Sequence, residues 1–170
     1  NHGDMLRFFE ALERAAPEKI KLFEYGRTWE GRKLIYAAIG NRDFMANLDG
    51  FADNMQKLSD PRITDKSAAK ALIAQLPSSV WLGYGVHGNE ISSTDAAMMT
   101  AYHLLAAPNE ATNRKILKNT LVFIDPLQNP DGRNRFTSRY YATVGMQHSD
   151  DRLSAEHNEP WPSGRSNHYL

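Results

Sequence analysis

The sequence contains no cysteine among its 170 residues, which excludes disulfide scaffolds, thiol catalysis, cysteine-based zinc fingers and iron–sulfur ligation. Nor is either sign of charge in excess: 20 Lys+Arg balance 20 Asp+Glu, so no global field draws the chain to nucleic acid or to an anionic membrane. No run approaches the roughly 18 apolar residues of a spanning helix, and Asn1-His2-Gly3-Asp4 does not read as a signal peptide. Internal repeats and low-complexity tracts are missing too. A chain that begins without Met leaves room for an export signal ahead of residue 1, so the compartment stays open, periplasmic or secreted if such a leader was removed. What is present is 41% apolar and 10% aromatic residues, enough to core one domain. Six histidines and the carboxylates are the metal ligands this composition offers.

Asp4 ahead of Met5, Leu6, Phe8, Phe9 and Leu12 predicts an N-capped amphipathic helix that stops before Pro17. Two apolar runs, residues 20–25 and 34–39, joined across the glycine-bounded segment 26–32, predict a β-hairpin with a five- or six-residue connection. Residues 43–58 and 64–76 read as two helices parted by Ser59-Asp60-Pro61, with Thr64 as N-cap and Pro77 as the stop. The short apolar run 80–86 predicts a strand covered on both faces. A helix follows over Ile91, Ala96, Met99, Tyr102, His103 and Ala106, then a shorter one at 110–118, then a second buried strand at 121–124. Strand and helix alternating in this way predict an α/β fold with parallel central strands. From Ser138 onward only 10 of 33 residues are apolar and no period persists, which predicts one long loop to Leu170, with a strand starting at His168-Tyr169-Leu170.

His87 and Glu90 lie just past the carboxyl end of the first buried strand, the edge where α/β sheets collect ligands. Three residues apart on a turn, an imidazole and a carboxylate can face one cation and leave positions for a third ligand and a water. The plain alternative is a polar loop histidine and a glutamate favoured by the dipole of the helix that follows. Residues 125–135 leave the second buried strand at the same edge as Asp125-Pro126-Leu127-Gln128-Asn129-Pro130-Asp131-Gly132-Arg133-Asn134-Arg135. By composition they are a pair of Pro- and Gly-directed turns; by position they face the same place as His87.

Three motifs in order, Thr28-Trp29-Glu30-Gly31-Arg32, His87-Gly88-Asn89-Glu90 and Asn129-Pro130-Asp131-Gly132, make the chain resemble the zinc carboxypeptidase family of metallocarboxypeptidases. They are similar to that family's (S/T)xEGR hairpin, its HxxE zinc motif and its NPDG turn, and the resemblance runs from about Met5 to Leu170. It implies an α/β fold with a mixed, largely parallel central sheet and helices on both faces, here apparently truncated. Residues 1–170 would form the N-terminal part of a single catalytic domain, with a peptide substrate and the missing C-terminal half of the domain as partners.

The resemblance further implies one Zn2+ ion with His87 and Glu90 as two of its three protein ligands. The third ligand, a histidine, the general-base glutamate and a tyrosine that grips substrate would lie beyond Leu170. For the oxyanion-stabilising arginine the order is Arg165, then Arg133, then Arg135, with Arg139 a weaker candidate. His103 is expected to be a partly buried packing residue, and His148, His157 and His168 solvated loop histidines, none of them a ligand. Trp29 and Arg32 are expected to pack and pair locally, Glu30 to be structural, and Met98-Met99 to fill core. With two ligands and no base, the 170-residue piece alone is expected to be inactive. Two other readings keep the scaffold: a deacylase of N-acyl amino acids, and a non-catalytic peptide-binding module.

Overall fold

The structure, a computed structural model, describes residues 1–157. Helix α1 (His2–Ala15) starts on Asn1, whose side chain accepts the Asp4 backbone N–H at 3.0 Å, so Asp4 completes a capping box from inside the first turn and is not itself the cap. Met5 and Phe9, one helical turn apart, are both fully buried. The hairpin follows as β1 (Ile20–Arg27) and β2 (Lys33–Ile39), with a five-residue connection and a register shift between Glu24 and Gly26.

The stretch read as one helix over residues 43–58 is broken at Asn47 into α2 (Arg42–Ala46) and α3 (Leu48–Ser59). Asn41 caps α2 by accepting the Phe44 N–H, and α2 ends at Asn47, whose backbone N–H donates to the Phe44 carbonyl at 3.2 Å in place of the helical i−4 partner. Helix α4 (Lys66–Gln75) is capped by Asp65 rather than Thr64, since the Asp65 carboxylate takes both the Ser67 and Ala68 amides. Then come β3 (Ser78–Gly83), α5 (Ser92–Ala106), α6 (Ala111–Asn119), β4 (Thr120–Asp125) and α7 (Pro130–Thr143). Helix α7 therefore occupies the start of what composition marks as a loop, and irregular chain begins only at Val144. The strand start expected at residues 168–170 lies outside the described residues.

The four strands form one mixed sheet in the order β1-β2-β4-β3. Helices α5 and α6 form the crossover that lets β3 and β4 run parallel, whereas the β1–β2 and β2–β4 pairings are antiparallel. On one face Ile35, Ala37, Ile39, Val122 and Ile124 meet Met5 and Phe9 of α1 and Ala97, Ala101 and Leu104 of α5. Burying a side chain the size of Phe9 stabilises the fold by about 1.5–3 kcal/mol. The opposite face is aromatic: Tyr36 lies 4.9 Å from Phe23 and 5.1 Å from Trp81, and Phe51 of α3 reaches Phe123 at 6.2 Å. Helices thus lie on both faces.

Strand β3 is not covered on both faces as its apolar run predicts. It is an outer strand of the described sheet, with Val80 38% and Trp81 53% exposed. Its apolar sequence suits a strand with a further neighbour, and the described residues supply none.

Candidate metal half-site

Because β3 and β4 are parallel, their carboxyl ends open at one edge, and the two outgoing segments stay joined beyond the strands. Tyr84 donates its N–H to the Asp125 carbonyl at 2.9 Å, Gln128 to the Tyr84 carbonyl at 2.9 Å, and Asn129 to the Gly85 carbonyl at 3.0 Å. Gly85 has φ +66°, a conformation that turns the chain away from the strand and that a Cβ would strain. The turn to α5 then closes with Glu90 N–H on the His87 carbonyl at 3.2 Å, which sets His87, half-buried, and Glu90, exposed, on one reversal.

The Asn129-Pro130-Asp131-Gly132 segment is a helix start and not a pair of turns. Asn129 caps α7 by accepting the Gly132 N–H at 2.9 Å, and Pro130 occupies the first helical position, where a missing N–H costs nothing. The same Asn129 side chain donates to the Val86 carbonyl at 3.1 Å, so one amide caps α7 and straps the His87 turn. Gly88 and Gly132 bring the two backbones into contact: a Cβ on Gly88 would lie 2.5 Å from the Arg133 nitrogen and nearer still to the Gly132 carbonyl.

The hairpin connection reaches the same place. Thr28 donates its hydroxyl to Asp131 at 2.8 Å, Arg32 its guanidinium at 2.6 Å, and Glu30 its backbone N–H at 3.4 Å. Burial alone would raise the Asp131 carboxyl, but these donors together hold it below the usual carboxylate range. Arg32 also pairs with Glu30, and its charge is favoured first by Glu30 and then by Asp131. Arg32 therefore pairs across the fold and not only locally, Glu30 pairs with it, and Trp29 is fully exposed among the described residues rather than packed.

A second link, between Tyr25 and Asp125, ties the hairpin to the end of β4. The Tyr25 hydroxyl donates to Asp125 at 2.8 Å, and Asp125 is 3% exposed. Burial pushes the Asp125 carboxyl up against the pull of that bond, while burial and the bond both raise the Tyr25 phenol well above its ordinary range. Neither residue stands out in the sequence, because partners 100 positions apart leave no local pattern.

The other predicted residues separate. Arg133 donates to the Ile91 carbonyl and lies 3.6 Å from Asp95, a brace between α7 and α5. It lines a cavity of about 550 Å3 with Phe136, Tyr140 and Tyr141 that neither His87 nor Glu90 borders. Arg135 is exposed on α7, and Arg165 and His168 lie outside the described residues. His103 is not a packing residue but pairs on the surface with Glu110 at 2.8 Å. His148 and His157 are exposed loop residues, the first bonded to the Tyr140 hydroxyl and the second to the Ser149 carbonyl. Met98 packs on the core while Met99 is exposed, so only one of that pair fills it.

The zinc carboxypeptidase family model matches residues 5–169. The chain belongs to the zinc carboxypeptidase family. No curated protein matches this chain in sequence. Solved structures share its fold: thrombin activatable fibrinolysis inhibitor at 12% identity and TM-score 0.57, covering 96% of this chain and 40% of that one. The bovine form of that inhibitor, in complex with tick carboxypeptidase inhibitor, gives 13% and 0.52 over 82% of this chain and 34% of that one. A putative carboxypeptidase A from Shewanella denitrificans OS-217 gives 19% and 0.52 over 76% of this chain and 26% of that one. The chain thus spans between a quarter and two fifths of the length of these structures.

Family membership implies zinc, and an imidazole and a carboxylate on one turn are the donor types that zinc takes. Among the described residues no three His, Cys, Asp or Glu side chains group to hold a metal ion. Among those residues no helix is long and apolar enough to cross a membrane.

Proposed function

We propose that the whole protein is a zinc metallocarboxypeptidase that hydrolyses C-terminal residues from peptides, and that this chain is the N-terminal part of its one catalytic domain, contributing two of three protein ligands through His87 and Glu90. The observation that carries the reading is the strapping of the His87–Glu90 turn to the start of α7 at the carboxyl edge of the parallel strand pair. A turn held on that side by backbone and side-chain bonds restrains the backbone that carries both donors, which favours a preformed ligand pair.

When bound, zinc lowers the pKa of a water and polarises a carbonyl. His87 would act through a neutral ring nitrogen and Glu90 through its carboxylate, so both must be deprotonated to bind. Asn129, Gly88 and Gly132 would orient the turn. The third ligand and the general base are assigned outside the described residues, and the oxyanion cation to Arg165 ahead of Arg133, whose guanidinium is engaged by Ile91 and Asp95. The isolated chain is therefore expected to bind zinc weakly and to turn over no peptide.

Calorimetric titration with zinc, comparing the chain with His87→Ala and Glu90→Ala, tests the ligands: equal heats in all three would remove the metal reading. Comparing hydrolysis of a peptide and of an N-acyl amino acid by the full-length protein tests the substrate class, and preference for the latter would make it a deacylase.

A further inference from the structure

A hairpin connection needs only two residues to reverse the chain, yet residues 28–32 are five and are built around polar groups. Their internal bonds fix a particular shape: Thr28 N–H to the Arg32 carbonyl at 2.9 Å, Arg32 N–H to the Thr28 hydroxyl at 3.1 Å, and Gly31 at φ +79°, which only glycine adopts without strain. That shape presents a hydroxyl, a guanidinium and a backbone N–H to one carboxylate, Asp131, from 99 to 103 positions away for the two side chains. Asp131 and Arg32 are each only 22% exposed, so the pair is shielded enough to hold its geometry.

Asp131 precedes Gly132, whose backbone lies against Gly88, and Gly88 stands between His87 and Glu90 in the turn. From the hairpin to the two donors the route is Thr28 and Arg32, Asp131, Gly132, Gly88: side-chain hydrogen bonds carry it from the hairpin to Asp131, and backbone carries it from there to the turn. We propose that Thr28, Arg32 and Asp131 are positioning residues for the His87–Glu90 pair, holding the start of α7 so that it fixes the turn carrying both donors. The inference rests on the reading of His87 and Glu90 as zinc ligands. It assigns to the hairpin loop a task in metal binding although none of its atoms would touch the ion.

The test uses zinc alone as the probe on the full chain and reads two quantities: zinc affinity, and amide hydrogen exchange at residues 86–90 against that of β4. Asp131→Ala is expected to weaken zinc about 10–100-fold, the range typical of groups that orient ligands. Exchange at residues 86–90 should quicken while the β4 amides stay protected. Arg32→Lys should retain more affinity than Arg32→Ala, because the charge remains and only the forked geometry is lost. A folded Asp131→Ala with unchanged affinity and unchanged exchange at 86–90 overturns the proposal. So does loss of affinity that tracks equal loss of protection in β4, since that would mark a general structural role. Should Asp131→Ala not fold, Thr28→Val removes one donor and carries the same two readouts. If the unmodified chain bound no zinc and His87→Ala changed nothing, the ligand reading would fall, and exchange at 86–90 alone would decide whether the hairpin holds the turn.

Discussion

Replacing Gly88 with alanine adds one methyl group at the point where the two site segments touch. Its Cβ would stand 2.5 Å from the Arg133 nitrogen and closer to the Gly132 carbonyl, both backbone groups that cannot rotate aside. To reach ordinary contact the segments must part by about 1 Å. A shift of that size breaks the Asn129 side-chain bond to the Val86 carbonyl, now 3.1 Å, and strains the neighbouring Asn129 N–H bond to Gly85, now 3.0 Å. Overpacking of this kind costs about 1–3 kcal/mol, and a lost hydrogen bond about 1 kcal/mol more. For a chain of this length that lowers Tm by roughly 4–16 °C, at 2–4 °C per kcal/mol. Calorimetric melting of Gly88→Ala beside Gly26→Ala measures it. The control is apt because a Cβ on Gly26 meets only Leu34 at 3.9 Å and should change little. Zinc titration of the same proteins should show weaker binding for Gly88→Ala alone. A Gly88→Ala protein that melts with the parent and binds zinc equally would refute the contact between the two turns and all that follows from it.

Two carboxylates of the hairpin links respond to pH in opposite directions. Asp131, held low, contributes stability above its ordinary value of about 3.9 and loses it as pH falls through its lowered folded value, so Asp131→Asn should flatten the acid side of the stability curve. Asp125, raised by burial, contributes stability below that ordinary value and loses it as pH rises through its folded value. Asp125→Asn should therefore cost less at pH 7 than at pH 4 in denaturant titrations, and a cost that grows with pH would contradict the assignment. The outer edge of β3, with Val80 and Trp81 exposed, should make the 170-residue chain associate with concentration on size-exclusion with light scattering. Val80→Lys should lessen that association; a monomer at every concentration would argue that the edge is already protected.

Most elements were legible because their signals are local. The spacing of Met5, Phe9 and Leu12, the alternation on either side of residues 26–32, and the stops at Pro17 and Pro77 each sit within a few residues of what they determine. Helix α7 was hidden although its start carries ordinary signs, Asn129 as cap, Pro130 at the first position and Asp131 in the first turn. Read as a string, those residues are also turn residues, and Arg133-Asn134-Arg135 shows no apolar period to decide between them. The apolar run of β3 reads as a covered strand, whereas a half-sheet leaves such a strand at an exposed edge, and the local sequence alone does not choose between the two. His87 and Glu90 could be proposed as a pair from the sequence because they stand three residues apart, and the structure sets both on one turn. Tyr25–Asp125 and Arg32–Asp131 could not, because each joins positions about 100 apart.

The strand order β1-β2-β4-β3 bears on how the molecule is made. The last of the described strands, β4, is an inner one, so the hairpin and β3 are not joined in this sheet until residue 125 has been synthesised, about 85 residues after β2 is complete. At about 5–20 residues per second that is a wait of roughly 4–17 s. During it the hairpin is paired only within itself, and Tyr36 of β2 waits for Phe123 of β4. A truncation ahead of β4 would leave the hairpin, six helices and an unjoined β3 rather than a smaller version of the same sheet.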